Sequence, residues 1–293
     1  MEEQLLAFLK HLEQEYQYSD NTIAAYRNDL GQFLGFVEEF QGSRVSGWDV
    51  VDGDTIEAYL SFMKHKAQPY ASSTIARKVA AIKSFFNYLT NQHIIAENPA
   101  LDIDSPKVKK RLPQTLTTEE VDRLLAAPAA NNSPKNMRDR ALLSVLYSTG
   151  MRVSEVVSLQ LDDVDYTDKV LYPPGKVDEL RVIPLEDDTA ALLTQYLAKG
   201  RPQLAKSDDE QSLFLNHRGE KLTRQGLWLI IKGYAKQVNL ESEVTPHTLR
   251  HSFAAHRLNT GSDLEEVQRL LGHANISTTQ IYTQLEPVEE STT

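Results

Sequence analysis

Five side chains that can carry positive charge lie within eleven positions of the stretch TPHTLRHSFAAHR, residues 245–257, which contains no carboxylate. They are His247, Arg250, His251, His256 and Arg257. A threonine followed by a proline marks a helix start, so His247, Arg250 and His251 share one face of the first turns. The backbone presents unpaired N–H groups at the same end of a helix. We therefore expect this face to bind an anion.

Two other interpretations of this stretch are open. Histidines four positions apart on a helix can bind zinc, but the zinc-protease pattern places a glutamate after the first histidine, and Thr248 stands there. Arg250, between the two imidazoles, would also repel a metal cation, so we predict no metal site. A structural helix whose histidines are satisfied internally is the second possibility. It leaves Arg250 without an obvious partner nearby in the sequence.

Two further segments hold residues of the same chemical types. In STGMRVSEVVSLQLDDVD, Arg152 follows a glycine, and Glu155 is either its surface partner or the group that orients it toward a ligand. In LGHANISTTQIYTQL, a Gly-His turn contains His273, and Tyr282 lies on a short helix. The chain has 12 tyrosines, so Tyr282 alone is more typical of a packing residue than of a nucleophile.

Composition indicates a globular protein, with 41% hydrophobic and 25% charged residues, and a length of 293 favours two domains. The lack of cysteine excludes disulfides, thiolate catalysis and cysteine-ligated zinc. No apolar run approaches the roughly 18 residues of a membrane span, and the N-terminal sequence is an acid-bearing amphipathic helix rather than a signal peptide. We therefore expect a cytoplasmic protein.

The net charge of −10 argues at first sight against a nucleic-acid partner, because phosphate binding requires lysine and arginine. The charge is segregated, however. Three ranges contain no acid: 58–96, 105–118 and 244–262. Solvated helix faces would explain one such range, but three favour basic surfaces on an acidic protein. In the first two ranges we predict DNA-binding roles for Arg77, Lys78, Lys83, Lys107, Lys109, Lys110 and Arg111.

Apolar spacing predicts a helical bundle over residues 1–101. A proline-containing segment, 102–115, cannot continue a helix and reads as an extended linker. The remaining residues, 116–293, alternate helical patterns with two β-type runs, KVLYP and LRVIPL, joined by a Pro-Gly turn. Helical spacing returns over 246–259. The fold class is therefore mainly α, with a small β-sheet or hairpin in the C-terminal domain.

Taken together, these segments resemble the tyrosine recombinase (phage integrase) family, most closely its Xer-type members. SDNTIAAYRNDLGQFLGFV and SSTIARKVAAIKSFFNYL resemble the helical SAM-like core-binding domain. RDRALLSVLYSTGMRVSEVVSLQLDDVD, TPHTLRHSFAAHRL and VQRLLGHANISTTQIYTQL resemble the catalytic domain. The resemblance covers nearly the whole chain and implies a two-domain DNA clamp.

By this resemblance the family's catalytic residues fall on Arg152, Lys176, His247, Arg250, His273 and Tyr282. Glu155 matches a position that supports the first arginine, and His251 lies beside the second. The implied reaction cleaves and rejoins duplex DNA through a 3′-phosphotyrosyl intermediate on Tyr282, without ATP, metal or other cofactor. The arginines would grip the phosphate oxygens, which explains the missing carboxylates in the opening stretch.

The resemblance also implies the proton transfers. Ionising a tyrosine of pKa about 10 at pH 7 costs roughly 4 kcal/mol, and we expect the adjacent arginines and a histidine base to lower that pKa. Lys176 would protonate the departing 5′-oxygen. This hairpin departs from the family pattern, with Val177 where relatives often have glycine and with Asp178 and Glu179 beside the lysine. Those carboxylates are expected to raise the pKa of Lys176.

The partners implied are double-stranded DNA, a homo- or hetero-tetramer on two recombination sites, a partner recombinase and an accessory activator. Because no extra arm-binding domain precedes the bundle, we expect an Xer-like role in resolving chromosome or plasmid multimers. Only eleven residues follow Tyr282. Many relatives have a longer C-terminal helix, which docks into a neighbouring subunit. Alternatives are a phage or transposon integrase, a sequence-specific DNA-binding protein without catalysis, and strand relaxation of the topoisomerase IB type.

Overall fold

A computed structural model describes the following residues: 1–42, 47–108, 112–174, 181–207, 209–240, 243–273 and 275–284. The chain divides into two compact units, Met1–Lys110 and Arg111–Thr293. Of the residues singled out by the sequence, Lys109, Lys110, Arg111 and Lys176 lie outside the described part. Within the described residues, every helix is too short or too polar to cross a membrane.

The described residues of the first unit form four α-helices: α1 (Glu2–Tyr16), α2 (Asp20–Gln41), α3 (Gly53–His65) and α4 (Ser72–Asn91). Side chains cap two of them, since Ser19 accepts from the Thr22 N–H and Asp52 from the Thr55 N–H. Their apolar faces meet in a core rich in aromatic rings, where Trp48 packs edge-on against Phe85 with ring centroids 4.7 Å apart. The predicted helical bundle is confirmed.

The second unit is mainly helical. Its longer helices are α5 (Thr118–Ala126), α6 (Pro134–Thr149), α8 (Asp187–Gln195), α10 (Arg224–Gln237), α11 (Pro246–Asn259) and α12 (Leu264–Leu271). Short helices are α7 (Val153–Val156) and α9 (Arg201–Leu204), and 3-10 turns span Ile276–Thr278 and Gln280–Gln284. Ten of the 16 residues of helix α6 are buried, and the helix packs against α8 and α11, so it forms the centre of the core.

In the part of the chain that the structure describes, the small sheet has three antiparallel strands in the order β1 (Val164–Asp165), β2 (Val170–Leu171) and β3 (Ile183–Pro184). Leu171 pairs with Val164 on one side and with Ile183 on the other. The sequence predicted β2 and β3 but not β1. All three strands are two residues long, but β2 and β3 lie in longer apolar runs, whereas β1 lies in the acid-rich stretch LDDVD, which has no such run.

Two glycines in the left-handed conformation end the helices that border the site described below. Gly150 ends α6 with φ 58°, and Gly272 ends α12 with φ 63°. At Gly150 a side chain would collide with the ring of Phe253 on α11. The close approach of α6 to α11 therefore requires glycine at this position.

Candidate active site

Arg250 lies in α11 and joins the ends of two other helices. Its Nη2 donates to the carbonyl of Leu271 at 2.7 Å, and its Nη1 donates to the carbonyl of Gly150. Both carbonyls lie at helix C-termini, where the helix supplies no backbone N–H to donate to them. The side chain is only 5% exposed, and burial together with Arg152 lowers its pKa to about 10. It stays protonated at neutral pH, and its acceptors are neutral, so its charge is not cancelled by them.

Arg152 reaches the same turn from the other side. Its Nη2 donates to the carbonyl of Gly272, next to the Leu271 carbonyl that Arg250 holds. Its backbone N–H donates to Glu155 Oε2 at 2.7 Å, and its Nη1 donates to Glu155 Oε1 at 2.9 Å. Glu155 therefore orients Arg152 rather than acting as a loose surface partner. The Arg152 side chain remains 43% exposed, which leaves part of the guanidinium accessible to an anion.

A third arginine, Arg181, was not singled out by the sequence. Its Nη2 donates to Glu155 Oε2 at 3.0 Å and its Nη1 to Glu155 Oε1 at 3.4 Å. The two residues are 26 positions apart, so no local pattern links them. The signal that was available is a basic residue near the start of the second β-type run, LRVIPL.

Gly272 is the point at which these arginines meet the backbone. A Cβ at this position would collide with the Arg181 guanidinium and would lie 3.4 Å from Arg152 Nη1. The positive φ of 63° also disfavours any side chain. Glycine here therefore permits two guanidinium groups to pack on the turn.

Tyr282 is held by His251. Its Oη lies 2.7 Å from His251 Nδ1, and the two ring centroids are 5.5 Å apart. The ring is 4% exposed and packs in a small cluster with Phe253, Val267 and Leu271. The sequence assigned His251 only a supporting role, whereas the structure makes it the residue in contact with the phenol.

The expectation that the pKa of Tyr282 is lowered is wrong for this structure. Burial raises the pKa of the phenol, because the charged form would lose its hydration, and Arg250 offsets this only in part. A sequence shows which cations can surround a tyrosine but not how deeply the ring is buried.

The two other candidate histidines are His247 and His273. The His247 ring is exposed, and its centroid is 6.3 Å from that of His251. His273 follows Gly272, and its Nδ1 lies 3.0 Å from the buried hydroxyl of Thr279. Burial and the nearby arginines lower the pKa of His273 to about 4. Burial, His247 and Arg250 likewise lower the pKa of His251 to about 4, so both histidines are neutral at pH 7.

The structure thus brings Arg152, Arg250 and His273 together around residues 271–273, and Tyr282 joins them through His251, the neighbour of Arg250 on α11. Lys176 lies outside the described residues. Glu155, predicted as a supporting residue, lies beside Arg152. Among the described residues, no group of three or more carboxylate, imidazole or thiol side chains is arranged to hold a metal ion.

The last two cations of the opening stretch do not belong to this site. Arg257 forms an ion pair of 3.0 Å with Glu186, so the stretch is not wholly free of carboxylate partners. His256 Nε2 donates to the carbonyl of Leu116 at 3.0 Å, and its Nδ1 accepts from the Tyr147 hydroxyl at 2.8 Å. Both residues lie more than a turn beyond His251, where α11 meets other parts of the unit.

The predicted DNA-binding residues of the first unit differ in exposure. Lys78 is 2% exposed, and its Nζ donates to Asp29 Oδ1 at 3.0 Å and to Gln32 Oε1 at 3.0 Å. The expectation that Lys78 binds phosphate is therefore wrong, because its ammonium is buried within the bundle and its charge is balanced by Asp29. Arg77 also pairs with Asp29 but remains half exposed.

Two further members of that group are accessible to different degrees. Lys107 is exposed. Lys83 is partly buried, and its Nζ donates to the carbonyl of Leu101 at 3.3 Å. A neutral acceptor leaves the charge of Lys83 uncancelled, so both lysines remain candidates for phosphate contacts.

Comparison with known proteins identifies the family. Residues 114–289 match the phage integrase family, and residues 5–93 match the phage integrase N-terminal SAM-like domain. The tyrosine recombinase XerC of Herpetosiphon aurantiacus is 51% identical over 97% of this chain and 90% of its own. The tyrosine recombinase XerD of Listeria innocua is 40% identical over 94% of this chain and 92% of its own.

A solved structure is similar as well. The crystal structure of the XerH site-specific recombinase bound to a palindromic difH substrate, in a post-cleavage complex, has a TM-score of 0.74 and 25% identity. The similarity covers 89% of this chain and 76% of that one. The chain therefore belongs to the phage integrase family and is a site-specific tyrosine recombinase of the Xer type.

Proposed function

We propose that this recombinase cleaves and rejoins double-stranded DNA through a 3′-phosphotyrosyl link on Tyr282, in resolving chromosome or plasmid multimers. One observation carries the assignment of residues. Arg152 and Arg250 are held by the carbonyls of adjacent residues, Gly272 and Leu271, and the neighbour of Arg250 holds a tyrosine hydroxyl. The relative XerH, solved as a post-cleavage complex with its DNA substrate, supports DNA as the substrate.

The arginines match the charge that develops during phosphoryl transfer. Attack on a phosphodiester adds negative charge to the non-bridging oxygens, and fixed cations in a partly buried site stabilise it. Removing one such donor typically costs about 2.7–4 kcal/mol of transition-state stabilisation. Arg152 supplies an accessible guanidinium, whereas Arg250 supplies a buried charge fixed between two helix ends.

His251 is the proposed acceptor of the Tyr282 proton. The pKa of its imidazole, about 4, leaves Nδ1 free to accept a hydrogen bond at neutral pH. The same pKa lies far below that of the phenol, so transfer in the unliganded site is unfavourable. A bound phosphate would offset the charge of Arg250 and raise the pKa of His251, which makes the imidazole a stronger base. The same offset would weaken the help that Arg250 gives to the phenolate, so the gain lies in the base.

The remaining roles are proposals from the family resemblance. His247 and His273 would donate hydrogen bonds to the phosphate or relay protons, and Lys176 would protonate the 5′-oxygen. The chemistry would be that of type IB topoisomerases. Arg77, Lys83, Lys107, Lys109, Lys110 and Arg111 would contact the DNA backbone. Four protomers on two sites, with a partner recombinase and an accessory activator, would complete the reaction in the cytoplasm.

The domain limits 1–101, 102–115 and 116–293 are likewise proposed. They are supported by the division of the chain near residue 110 and by the start of the matched catalytic region at residue 114. The segment between the helices of the two units contains the basic residues expected to follow the backbone.

Incubation with a nicked suicide DNA site tests the proposal. The expected product is a protein–DNA adduct that survives denaturing electrophoresis and is missing with Tyr282→Phe. A complex that always dissociates in detergent would instead indicate a DNA-binding protein without catalysis. Relaxation of plasmids of arbitrary sequence by isolated monomers would indicate a topoisomerase, and strand exchange only with mobile-element ends would indicate an integrase.

A further inference from the structure

Glu155 is surrounded by donors from two arginines. Its Oε1 accepts from Arg152 Nη1 at 2.9 Å and from Arg181 Nη1 at 3.4 Å. Its Oε2 accepts from the Arg152 backbone N–H at 2.7 Å and from Arg181 Nη2 at 3.0 Å. The carboxylate is 13% exposed and Arg181 is 15% exposed, so the pair is largely withdrawn from water. Its geometry is therefore fixed by these contacts.

Arg181 dominates the electrostatics of this carboxylate. Burial acts to raise the pKa of Glu155, and Arg181, the Arg152 N–H and the Arg152 guanidinium together hold it below its ordinary value. Among these opposing groups, Arg181 has the largest effect. Glu155 is thus kept ionised in a site where burial disfavours its charge.

The charge balance at the phosphate side depends on this arginine. Glu155 is needed to hold Arg152, but its negative charge cancels that of Arg152. Without Arg181, the side chains of Arg152, Arg250 and Glu155 would together have one net positive charge. With Arg181 present, three guanidinium groups oppose one carboxylate and the net charge is two. Phosphoryl transfer passes through a state with more negative charge than the diester, so the extra cation favours it.

Gly272 gives an independent indication that Arg181 belongs to the site. The turn approaches Arg181 so closely that a Cβ would collide with its guanidinium, and the same turn accepts a hydrogen bond from Arg152. In addition, Arg181 Nε is buried without a hydrogen-bond partner among the described residues. An arginine kept only for folding would be expected to satisfy its donors.

We propose that Arg181 is a positioning residue for strand cleavage. It fixes Glu155, and through it Arg152, and it returns to the site the positive charge that Glu155 removes. The inference rests on the proposed phosphoryl transfer at Tyr282. It requires no contact between Arg181 and the DNA.

Single-turnover cleavage of the suicide site tests this inference, with five variants compared: Arg181→Gln, Arg181→Lys, Glu155→Gln, the double Glu155→Gln/Arg181→Gln, and Arg257→Gln. Arg257→Gln is the matched control, because it breaks an arginine–glutamate pair away from the site. DNA affinity is measured in parallel in the Tyr282→Phe background, and folding by thermal unfolding.

We expect Arg181→Gln to slow cleavage about 10- to 100-fold, less than the ~100- to 1,000-fold typical of a direct transition-state donor. Arg181→Lys keeps the charge and should lose less. The double variant should cleave several-fold faster than Arg181→Gln, because removing the carboxylate restores a net charge of two. The double variant removes the carboxylate together with its arginine partner, so it also serves if Arg181→Gln does not fold. Arg257→Gln should cleave at the parental rate.

The results distinguish a failure of the role of Arg181 from a failure of the proposed cleavage at Tyr282. Parental cleavage by Arg181→Gln, or a double variant no faster than Arg181→Gln where that variant folds, overturns the role of Arg181. If Arg181→Gln does not fold, the cleavage rate of the double variant is compared with that of Glu155→Gln. The role of Arg181 is overturned if the rate falls between these two by no more than it falls between the parent and Arg257→Gln. The lack of any adduct with the unaltered chain overturns the proposed function itself, whatever the variants do.

Discussion

The hydroxyl of Tyr282 lies 2.7 Å from Nδ1 of His251, the residue that follows Arg250 in α11. Consecutive residues of a helix point about 100° apart, so these neighbours reach different partners. Arg250 joins the ends of α6 and α12, and His251 contacts the phenol. One turn of α11 therefore fixes both a cation and the proposed nucleophile within a single chain.

Replacing His251 tests its assignment as proton acceptor. His251→Phe keeps a ring in place but removes the acceptor, and we expect cleavage to fall about 100- to 10,000-fold, the usual range for general acid–base catalysis. The rate should recover in part at high pH, where the phenol ionises without help. Replacement of the exposed His217 by glutamine serves as the control. Equal rates for the parent and His251→Phe at all pH values would refute the assignment.

Two partly buried histidines, His251 and His273, should make stability depend on pH. An unfolded histidine has a pKa of about 6.5, whereas His251 and His273 have a pKa of about 4 in the fold. The unfolded chain binds more protons between these values, so stability is greatest above pH 6.5 and falls as the pH drops toward 4. Thermal unfolding from pH 7.5 to pH 5 should show this loss, and His251→Gln/His273→Gln should reduce it. An unchanged slope in the double variant would contradict the neutral state of these histidines in the fold.

Arg152 and Arg250 should differ in their effect on stability. Arg250→Gln leaves the carbonyls of Gly150 and Leu271 poorly satisfied in a buried region, and it should lower the free energy of unfolding by about 1–3 kcal/mol. Arg152→Gln removes a half-exposed side chain and should cost less than 1 kcal/mol, about the value of an exposed ion pair. Both should lose cleavage. Denaturant unfolding measures the difference, and equal losses of stability would be the opposing result.

Gly272 and Gly261 form a matched pair for testing the turn. Both have positive φ, but a Cβ at Gly261 would meet open space, whereas one at Gly272 would collide with Arg181. Each change to alanine should cost roughly 1–2 kcal/mol of stability through backbone strain. Only Gly272→Ala should also slow cleavage of the suicide site, because it displaces the arginines. Comparable cleavage by both variants would show that the close packing at Gly272 is not needed.

Substitutions of Lys78 and Arg77 should affect different properties, the first stability and the second DNA binding. Lys78→Met removes one partner of the buried Asp29, and we expect a loss of stability of about 1–3 kcal/mol, moderated because Arg77 remains. Arg77→Gln should instead weaken DNA binding and reduce the slope of log affinity against log salt concentration by about 1. Binding measured across salt concentrations checks this, with Arg257→Gln as the control. A larger change in slope for Lys78→Met than for Arg77→Gln would be inconsistent with the buried pair.

Much of the fold follows from local patterns. The sequence predicts a helix over 246–259, and α11 spans Pro246–Asn259, because proline and a capping threonine define its start within a few residues. Strands β2 and β3 were found from their apolar runs and the turn between them. Strand β1 lies in the acid-rich stretch LDDVD, which has no apolar run, so only its pairing with β2 shows that it is a strand.

The sequence by itself predicts the family, the helical bundle and the position of α11, because capping, periodicity and ordered motifs are local properties of short stretches. The fold alone pairs Arg181 with Glu155, gives Arg250 two carbonyl acceptors and places Tyr282 on His251. These contacts join residues 21 to 100 positions apart. The raised pKa of Tyr282 likewise comes from burial, a property of the packed site that no linear pattern contains.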